Sequence, residues 1–280
     1  MKYEPYIDRV FRVKKCRRSM FHLLCVLLAA LWLAAASPAS AAEKDVGIVL
    51  LHGKWDRPPL RIAGLARKLE AEGFLVEMPT MPWSSTRDYD VSYTDALKEI
   101  DGAATVLMQK GAKHLVVGGQ SLGGNGTLAY AGSGRKVDAI FVLSPGHTPD
   151  RGTTRQALEP SVRKARFMVE EGSGKERAFF DDINQGKSKQ IRVTAESYLS
   201  YFDPDGMGSM AKSAAAIPSA IPIFMAVGLE DRIVSYAQEG IFQRAPAHPQ
   251  SAYLNVQADH EGVPAVAASA LIAWLKSLNY

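Results

Sequence analysis

The protein is a chain of 280 residues, of which 47% are hydrophobic and 22% are charged, an ordinary composition for a globular protein. Residues 1–41 hold seven basic and two acidic side chains, so subtracting their net charge of +5 from the formal +4 leaves −1 for residues 42–280. The basic balance is therefore a property of the N-terminal segment, and we expect no nucleic-acid partner.

Residues 1–41 have the pattern of a secretory signal peptide. The basic residues 14–18 precede an apolar stretch over residues 20–36, and Ala39-Ser40-Ala41 supplies a small-residue cleavage site. An apolar stretch of about 16 residues is near the lower limit for spanning a bilayer, so an uncleaved N-terminal anchor is the alternative. We predict cleavage before Ala42, a periplasmic or secreted protein, and no stable membrane insertion of the mature chain.

Both cysteines, Cys16 and Cys25, lie within this leader. A mature chain of residues 42–280 then has no disulfide and no thiolate ligand. No pair of histidines has metal-ligand spacing, so the sequence predicts neither a metal site nor a cofactor.

Strand and helix patterns alternate from the start of the mature chain. The continuous apolar run Ile48–Leu51 is typical of a strand that is buried on both faces. Residues 60–72 have the spacing of a helix that ends at a glycine, and residues 74–78 indicate a second strand. Residues 79–90 predict an irregular connection, which precedes a helix over residues 92–110.

The central stretch of the chain combines a strand, a sharp turn and a helix. Leu115-Val116-Val117 lead into Gly119-Gln120-Ser121-Leu122-Gly123, and a helical pattern of small and apolar residues follows. Gly-x-Ser-x-Gly between a strand and a helix is the pattern of a nucleophile elbow. Its glycines leave room for the neighbouring elements, and the helix N-terminus directs N–H groups at the hydroxyl. Ser121 is the candidate nucleophile, and Gly119 and Gly123 are the elbow glycines.

The alternation resumes in the second half of the chain after an interruption. The strands and helices predicted there cover residues 137–143, 221–227, 234–244, 251–256 and 263–278. Such alternation predicts an α/β fold with a mostly parallel, doubly wound sheet of about six strands. Residues 147–220 show no obvious buried strand and are too long for a simple connection. We therefore predict one domain over residues 42–280 with a cap or lid inserted at about residues 147–220.

Two loops after predicted strands carry the residues that a serine nucleophile requires. Asp231 follows the last strand but one, and His260 follows the last strand. Loops of this kind meet at the carboxyl edge of a parallel sheet. A serine hydroxyl needs a base, imidazole titrates near neutrality, and a carboxylate behind the ring orients it. Asp231 is the preferred acid and His260 the base, while Glu230 and Asp259 stay open as alternatives for the acid.

The order Ser121, Asp231, His260 resembles that of the serine esterases and lipases of the α/β-hydrolase superfamily. The resemblance spans nearly the whole mature chain, although the N-terminal strands of the full family sheet are missing, which implies a trimmed fold. An oxyanion hole is expected from the main-chain N–H groups of Leu122 and of Lys54, which follows His52-Gly53.

Aromatic side chains and a histidine in the loops are candidates for a pocket wall, although such aromatics are as often plain packing. These candidates are Trp83, His147, Tyr198 and Tyr201. His52 is expected to be structural and to orient the oxyanion loop.

Together, the residues and the resemblance imply an exported serine hydrolase that cleaves a small or lipid-like carboxylic ester through an acyl-enzyme, without a cofactor. The same three residues serve amidases, thioesterases and peptidases, so those activities stay open. The alternative from another class is a binding protein that keeps the fold without catalysis. Residues 147–220 are expected to determine the substrate, because an insertion at that point would overhang Ser121.

Overall fold

The computed structural model describes residues 45–58 and 61–280. The expected signal peptide, its cleavage site and the alternative anchor lie outside these ranges. Within them, no helix combines the length and the apolar character needed to cross a membrane.

The described strands belong to two sheets. In chain order they are β1 (Val46–Leu51), β2 (Leu75–Glu77), β3 (His114–Ser121), β4 (Ala139–Pro145), β5 (Arg177–Asn184), β6 (Lys187–Thr194), β7 (Ile223–Gly228) and β8 (Ala252–Val256). Six of them form a sheet in the order β2-β1-β3-β4-β7-β8, in which every pairing is parallel. Strands β5 and β6 form a separate antiparallel pair.

Helices connect the strands of the large sheet. They are α1 (Ala63–Ala71), α2 (Tyr93–Gln109), α3 (Leu122–Gly132), α4 (Gly152–Glu170), α5 (Ala195–Phe202), α6 (Met210–Ala215), α7 (Val234–Gly240), α8 (Val263–Val266) and α9 (Ala268–Ser277). The predicted helix over residues 234–244 ends early and continues as the 3-10 turn Phe242–Arg244. The predicted closing helix is divided at Ala267. The doubly wound, six-stranded parallel sheet predicted from the sequence is confirmed.

The first strand shows why the sheet is covered on both faces. All of β1 is buried. Successive side chains of a strand point to opposite faces. Ile48 and Leu50 accordingly pack in the apolar layer with α1 and α9, whereas Val49 and Leu51 pack in the layer with α2. A strand buried on both faces has no polar side to alternate with, which is why its sequence is a continuous apolar run.

The strand order places a crevice at the carboxyl ends of β1 and β3. From β1 the chain moves to β2 on one side and then returns to β3 on the other. Ligands of open α/β sheets bind at such a reversal of strand order, outside the carboxyl ends of the strands. The loop after β1 and the end of β3 are the segments that contain Lys54 and Ser121.

The segment over residues 147–220 contains a β-hairpin that the sequence did not reveal. Every second side chain in part of each strand is buried: Phe180 and Asp182 on β5, and Ile191 and Val193 on β6. One of these positions is an aspartate and most of the outward ones are polar, so the apolar pattern of a strand is weak. The expectation of no buried strand in this segment was therefore wrong.

Candidate active site

Ser121 lies where β3 turns sharply into α3. Its backbone has φ 57° and ψ −121°, a conformation that L-residues rarely adopt. The pairing of β3 with β4 also shifts register between Gln120 and Ser121. A Cβ on Gly119 would lie 2.5 Å from the carbonyl carbon of Gly123, and one on Gly123 would lie 2.3 Å from the carbonyl oxygen of Leu51. The glycines of the pattern are therefore required by the close approach of β1, β3 and α3.

Replacing Gly123 with alanine is expected to lower the free energy of unfolding by about 1–3 kcal/mol, because backbone rather than a movable side chain obstructs the new methyl group. The matched control is Gly102→Ala on α2, where a Cβ would have open space around it. That variant is expected to be more stable by about 0.5–1 kcal/mol, since alanine is the better helix former. Urea unfolding measures both, and equal effects would contradict the tight fit at the elbow.

His260 and Asp231 form a buried hydrogen-bonded pair. Nδ1 of His260 lies 2.7 Å from Oδ2 of Asp231, and Oδ1 of that carboxylate accepts the N–H of Ile233 at 3.2 Å. Burial raises the pKa of Asp231, but the hydrogen bond and charge of His260 and the Ile233 N–H outweigh it, so the pKa lies below its ordinary value. The carboxylate is thus ionised at neutral pH and accepts a proton-bearing Nδ1, which leaves Nε2 as the acceptor.

The two other acids considered for this role bind elsewhere. Glu230 accepts a hydrogen bond from Gln257 at 2.7 Å, and Asp259 accepts the N–H of Gly262 at 2.8 Å. The structure therefore pairs Asp231, and neither neighbour, with His260.

Ser121 and His260 both pack against Gly146. A Cβ on this glycine would lie 2.6 Å from Oγ of Ser121 and 3.5 Å from Cε1 of His260. Nε2 of His260 is buried and has no hydrogen-bond partner among the described residues. Nε2 is therefore available to accept a proton, and its ring packs against the same glycine as the Ser121 hydroxyl.

The candidate oxyanion donors lie at the ends of β1 and β3. Leu122 begins α3, so its N–H has no partner within the helix. Lys54 follows Gly53, where a Cβ would lie 3.3 Å from Cβ of Ser121. The N–H of Lys54 donates no hydrogen bond to any residue in the described ranges. Within the described ranges, both N–H groups thus lack a hydrogen-bond acceptor at the carboxyl edge of the sheet, where Ser121 lies.

His52 braces the loop after β1. It is fully buried, its Nε2 accepts the N–H of Met81 at 3.0 Å, and its Nδ1 lies 2.8 Å from the carbonyl oxygen of Gly53. The indole of Trp83 donates to the carbonyl of His52 at 2.8 Å. Burial lowers the pKa of His52, so the ring is neutral. Its hydrogen bonds hold the loop that presents Lys54.

Asp182 of β5 ties the same loop to the hairpin, and the sequence analysis missed it. This fully buried carboxylate accepts hydrogen bonds from Nζ of Lys54, from the indole of Trp55 at 2.6 Å and from the hydroxyl of Tyr89 at 2.9 Å. Burial lowers the pKa of Lys54, and the charge of Asp182 offsets part of that effect.

The turn of the hairpin is the signal that could have located Asp182. Gln185 and Gly186 have φ values of 48° and 77°, as a two-residue hairpin turn requires. Asn-Gln-Gly over residues 184–186 is a sequence compatible with that turn, because asparagine and glycine tolerate tight turns.

A cavity of about 240 Å³ opens beside Ser121, and its walls correct the expected pocket. His147 lines it, but Trp83, Tyr198 and Tyr201 do not. These three rings are fully buried in an aromatic cluster, where Tyr201 stacks on Tyr93 at 4.7 Å between ring centroids. They are packing residues because their ring faces are covered by other side chains. The other residues of the wall are largely polar, and the sequence analysis did not single them out: Thr148, Arg151, Thr153, Thr154, Asn184, Gln185, Arg232 and Ser235.

No group of three or more histidine, cysteine, aspartate or glutamate side chains in the described part of the chain is arranged to hold a metal ion.

Solved structures with a similar arrangement of strands and helices include proteins named as lipases and lipolytic enzymes. The monoacylglycerol lipase of Paleococcus ferrophilus superposes with a TM-score of 0.59 at 20% identity, covering 82% of this chain and 94% of that one. Est1E of Butyrivibrio proteoclasticus, with ferulic acid bound, superposes with a TM-score of 0.56 at 13% identity, and the match covers 84% of this chain and 90% of that one. A structure from work on the metagenome-derived lipolytic enzymes LipS and LipT superposes with a TM-score of 0.55 at 16% identity, and the match covers 84% of this chain and 92% of that one. The chain has the α/β-hydrolase fold.

The identities to these structures are low, so the likeness establishes the α/β-hydrolase fold and leaves the activity to be argued from the site. No protein-family model and no curated protein matches the sequence. In this α/β-hydrolase fold, the residues that the structure brings together at the carboxyl edge are Ser121, Asp231, His260 and the loop of Lys54.

Proposed function

We propose that the protein is an exported serine hydrolase that cleaves carboxylic esters. The observation that carries the proposal is the buried His260–Asp231 pair, whose Nε2 is unpartnered among the described residues and which lines the same cavity as the strained Ser121. The solved structures of similar fold that are named as lipases and esterases support ester chemistry. Export rests on the signal-peptide pattern of residues 1–41.

The reaction begins when Nε2 of His260 takes the proton of the Ser121 hydroxyl. The serine oxygen attacks the ester carbonyl, whose π electrons move to its oxygen, and the N–H groups of Leu122 and Lys54 stabilise the resulting oxyanion. Asp231 stabilises the imidazolium and holds the ring in place. Collapse of the tetrahedral intermediate breaks the bond to the alcohol, which leaves with the proton from His260.

Water completes the reaction by the same steps. His260 takes a proton from water, the hydroxide oxygen attacks the acyl-enzyme carbonyl, and collapse returns the serine oxygen with the proton. The products are the carboxylic acid and the alcohol, and no redox change occurs. Residues 147–220 serve in this proposal as a cap whose hairpin turn, residues 183–186, closes one side of the cavity.

A fluorophosphonate probe tests the proposal, because it forms a covalent adduct with an activated serine. The purified protein is expected to be labelled at Ser121, whereas Ser121→Ala is not. Ser219→Ala serves as the control, because that serine lies exposed on the surface and does not line the cavity. The intact mass of the labelled chain is expected to correspond to a first residue of Ala42. Absence of labelling in folded protein would favour a binding protein with this fold, and a mass that includes residues 1–41 would contradict cleavage.

A further inference from the structure

Two arginines in the wall of the cavity have no acidic partner among the described residues. Arg151 and Arg232 both line the cavity that contains Ser121, and neither forms an ion pair with a residue that the structure describes. The third cation of the wall, Lys54, is neutralised by Asp182. Among the described residues of the wall, Asp231 alone is a carboxylate, and it is hydrogen-bonded to His260. The two guanidinium groups still outnumber the Asp231 carboxylate among the described residues of the wall, so the cavity carries a net positive charge.

Arg151 is held in place on one side of the cavity. Its guanidinium carbon lies 3.1 Å from the centroid of the Tyr236 ring, which also lines the cavity. It directly precedes the 19-residue helix α4, whose first residues, 152–154, line the cavity too. The N-terminus of a helix carries partial positive charge, which adds to that of the guanidinium.

Arg232 stands on another wall. It follows Asp231 in the loop between β7 and α7, and its Nη1 would lie 3.9 Å from a Cβ on Gly186 at the hairpin turn. Positive charge therefore reaches the cavity from two separate elements, one before α4 and one after β7. Guanidinium groups bind planar carboxylates through paired hydrogen bonds.

We propose that the ester carries a carboxylate on its acyl chain and that Arg151 and Arg232 bind this group while Ser121 attacks the ester carbonyl. The inference rests on the proposed function and names its substrate class. The cavity, at about 240 Å³, is smaller than the usual drug-sized pocket, so the acyl chain is short. Arg151 and Arg232 are specificity-determining residues, because they contact the substrate away from the reacting atoms.

The test compares two esters of equal size, the 4-nitrophenyl monoester of adipic acid and its terminal amide, which is uncharged. For the wild-type protein, kcat/KM is expected to be about tenfold or more higher for the charged ester, the scale of a charge-assisted hydrogen bond. Arg151→Gln and Arg232→Gln are each expected to reduce this ratio severalfold, and the double variant to bring it close to one. Because both esters are measured on the same preparation, a loss of folded protein cancels in the ratio.

Arg163→Gln is the matched control, since it removes one positive charge from α4 outside the cavity, where Arg163 pairs with Glu159. Its ratio is expected to equal that of the wild type. The inference is overturned if the wild type has a ratio of the two kcat/KM values near one, or if Arg163→Gln reduces that ratio as much as Arg151→Gln and Arg232→Gln do. Fluorophosphonate labelling separates the two proposals: if the wild type is labelled but shows no charge preference, only the substrate class is rejected. If it is not labelled, the hydrolase itself is rejected, and the substrate class with it.

Discussion

Replacing His260 with alanine is expected to lower kcat for a nitrophenyl ester by a factor of about 10⁴ or more. The variant loses the imidazole that lines the cavity together with Ser121, so the hydroxyl keeps its proton and stays a poor nucleophile. Removal of the ring leaves the buried Asp231 carboxylate with the N–H of Ile233 as a remaining donor, so some loss of stability is expected beside the loss of kcat. Steady-state kinetics with a short nitrophenyl ester, alongside urea unfolding of the same preparations, measures both effects.

Combining His260→Ala with Ser121→Ala is expected to reduce kcat no further than either change alone, since the two groups act as a unit. Asp231→Asn is expected to lose activity as well, because the amide no longer fixes the ring with Nδ1 protonated. His248→Ala is the control: this histidine accepts the N–H of Gln250 in a surface turn and does not line the cavity. If the losses of kcat were additive, or if His260→Ala kept kcat within tenfold of the wild type, Ser121, Asp231 and His260 would not be the catalytic residues.

The parts of the fold that the sequence predicted are those with local causes. A strand buried on both faces must be apolar throughout, so β1 and β3 were recognisable as short apolar runs. Close approach of the backbone at the elbow admits only glycine, so Gly119 and Gly123 marked the turn around Ser121. The parallel pairing of the strands then followed from their alternation with helices.

What the sequence did not reveal depends on contacts between distant segments. Asp182 lies 128 residues from Lys54 along the chain, and nothing local in either residue predicts that they meet. Trp83 and Tyr201 were expected in the pocket because aromatic rings in loops are consistent with either role, and their contacts with the ring of Tyr93, edge-on for Trp83 and stacked for Tyr201, show that they are packing residues. The choice of Asp231 over Glu230 and Asp259 was likewise settled by a hydrogen bond across two loops.

Replacing Asp182 with alanine is expected to lower the free energy of unfolding by about 3–5 kcal/mol, because it leaves the buried ammonium group of Lys54 without its counter-charge. The indole of Trp55 and the hydroxyl of Tyr89 lose their acceptor in the same step. Asp181→Ala is the matched control: the neighbouring carboxylate points to the other side of β5 and, among the described residues, accepts a hydrogen bond from Ser161 alone. Asp181→Ala is expected to lower the free energy of unfolding by about 1 kcal/mol, and urea unfolding compares the two variants.

A second substitution distinguishes an unpaired charge from a simple packing defect. If the orphaned ammonium group causes the loss, adding Lys54→Met to Asp182→Ala removes the buried charge and restores part of the stability, since an apolar pair of similar volume is often tolerated. If the loss came from the cavity left by Asp182, the second change would lower stability further or leave it unchanged. The double variant should still show a lower kcat than the wild type, because the loop that presents the Lys54 N–H has lost its tie to the hairpin. Recovery of stability without recovery of kcat is thus the result expected if this ion pair positions the oxyanion loop.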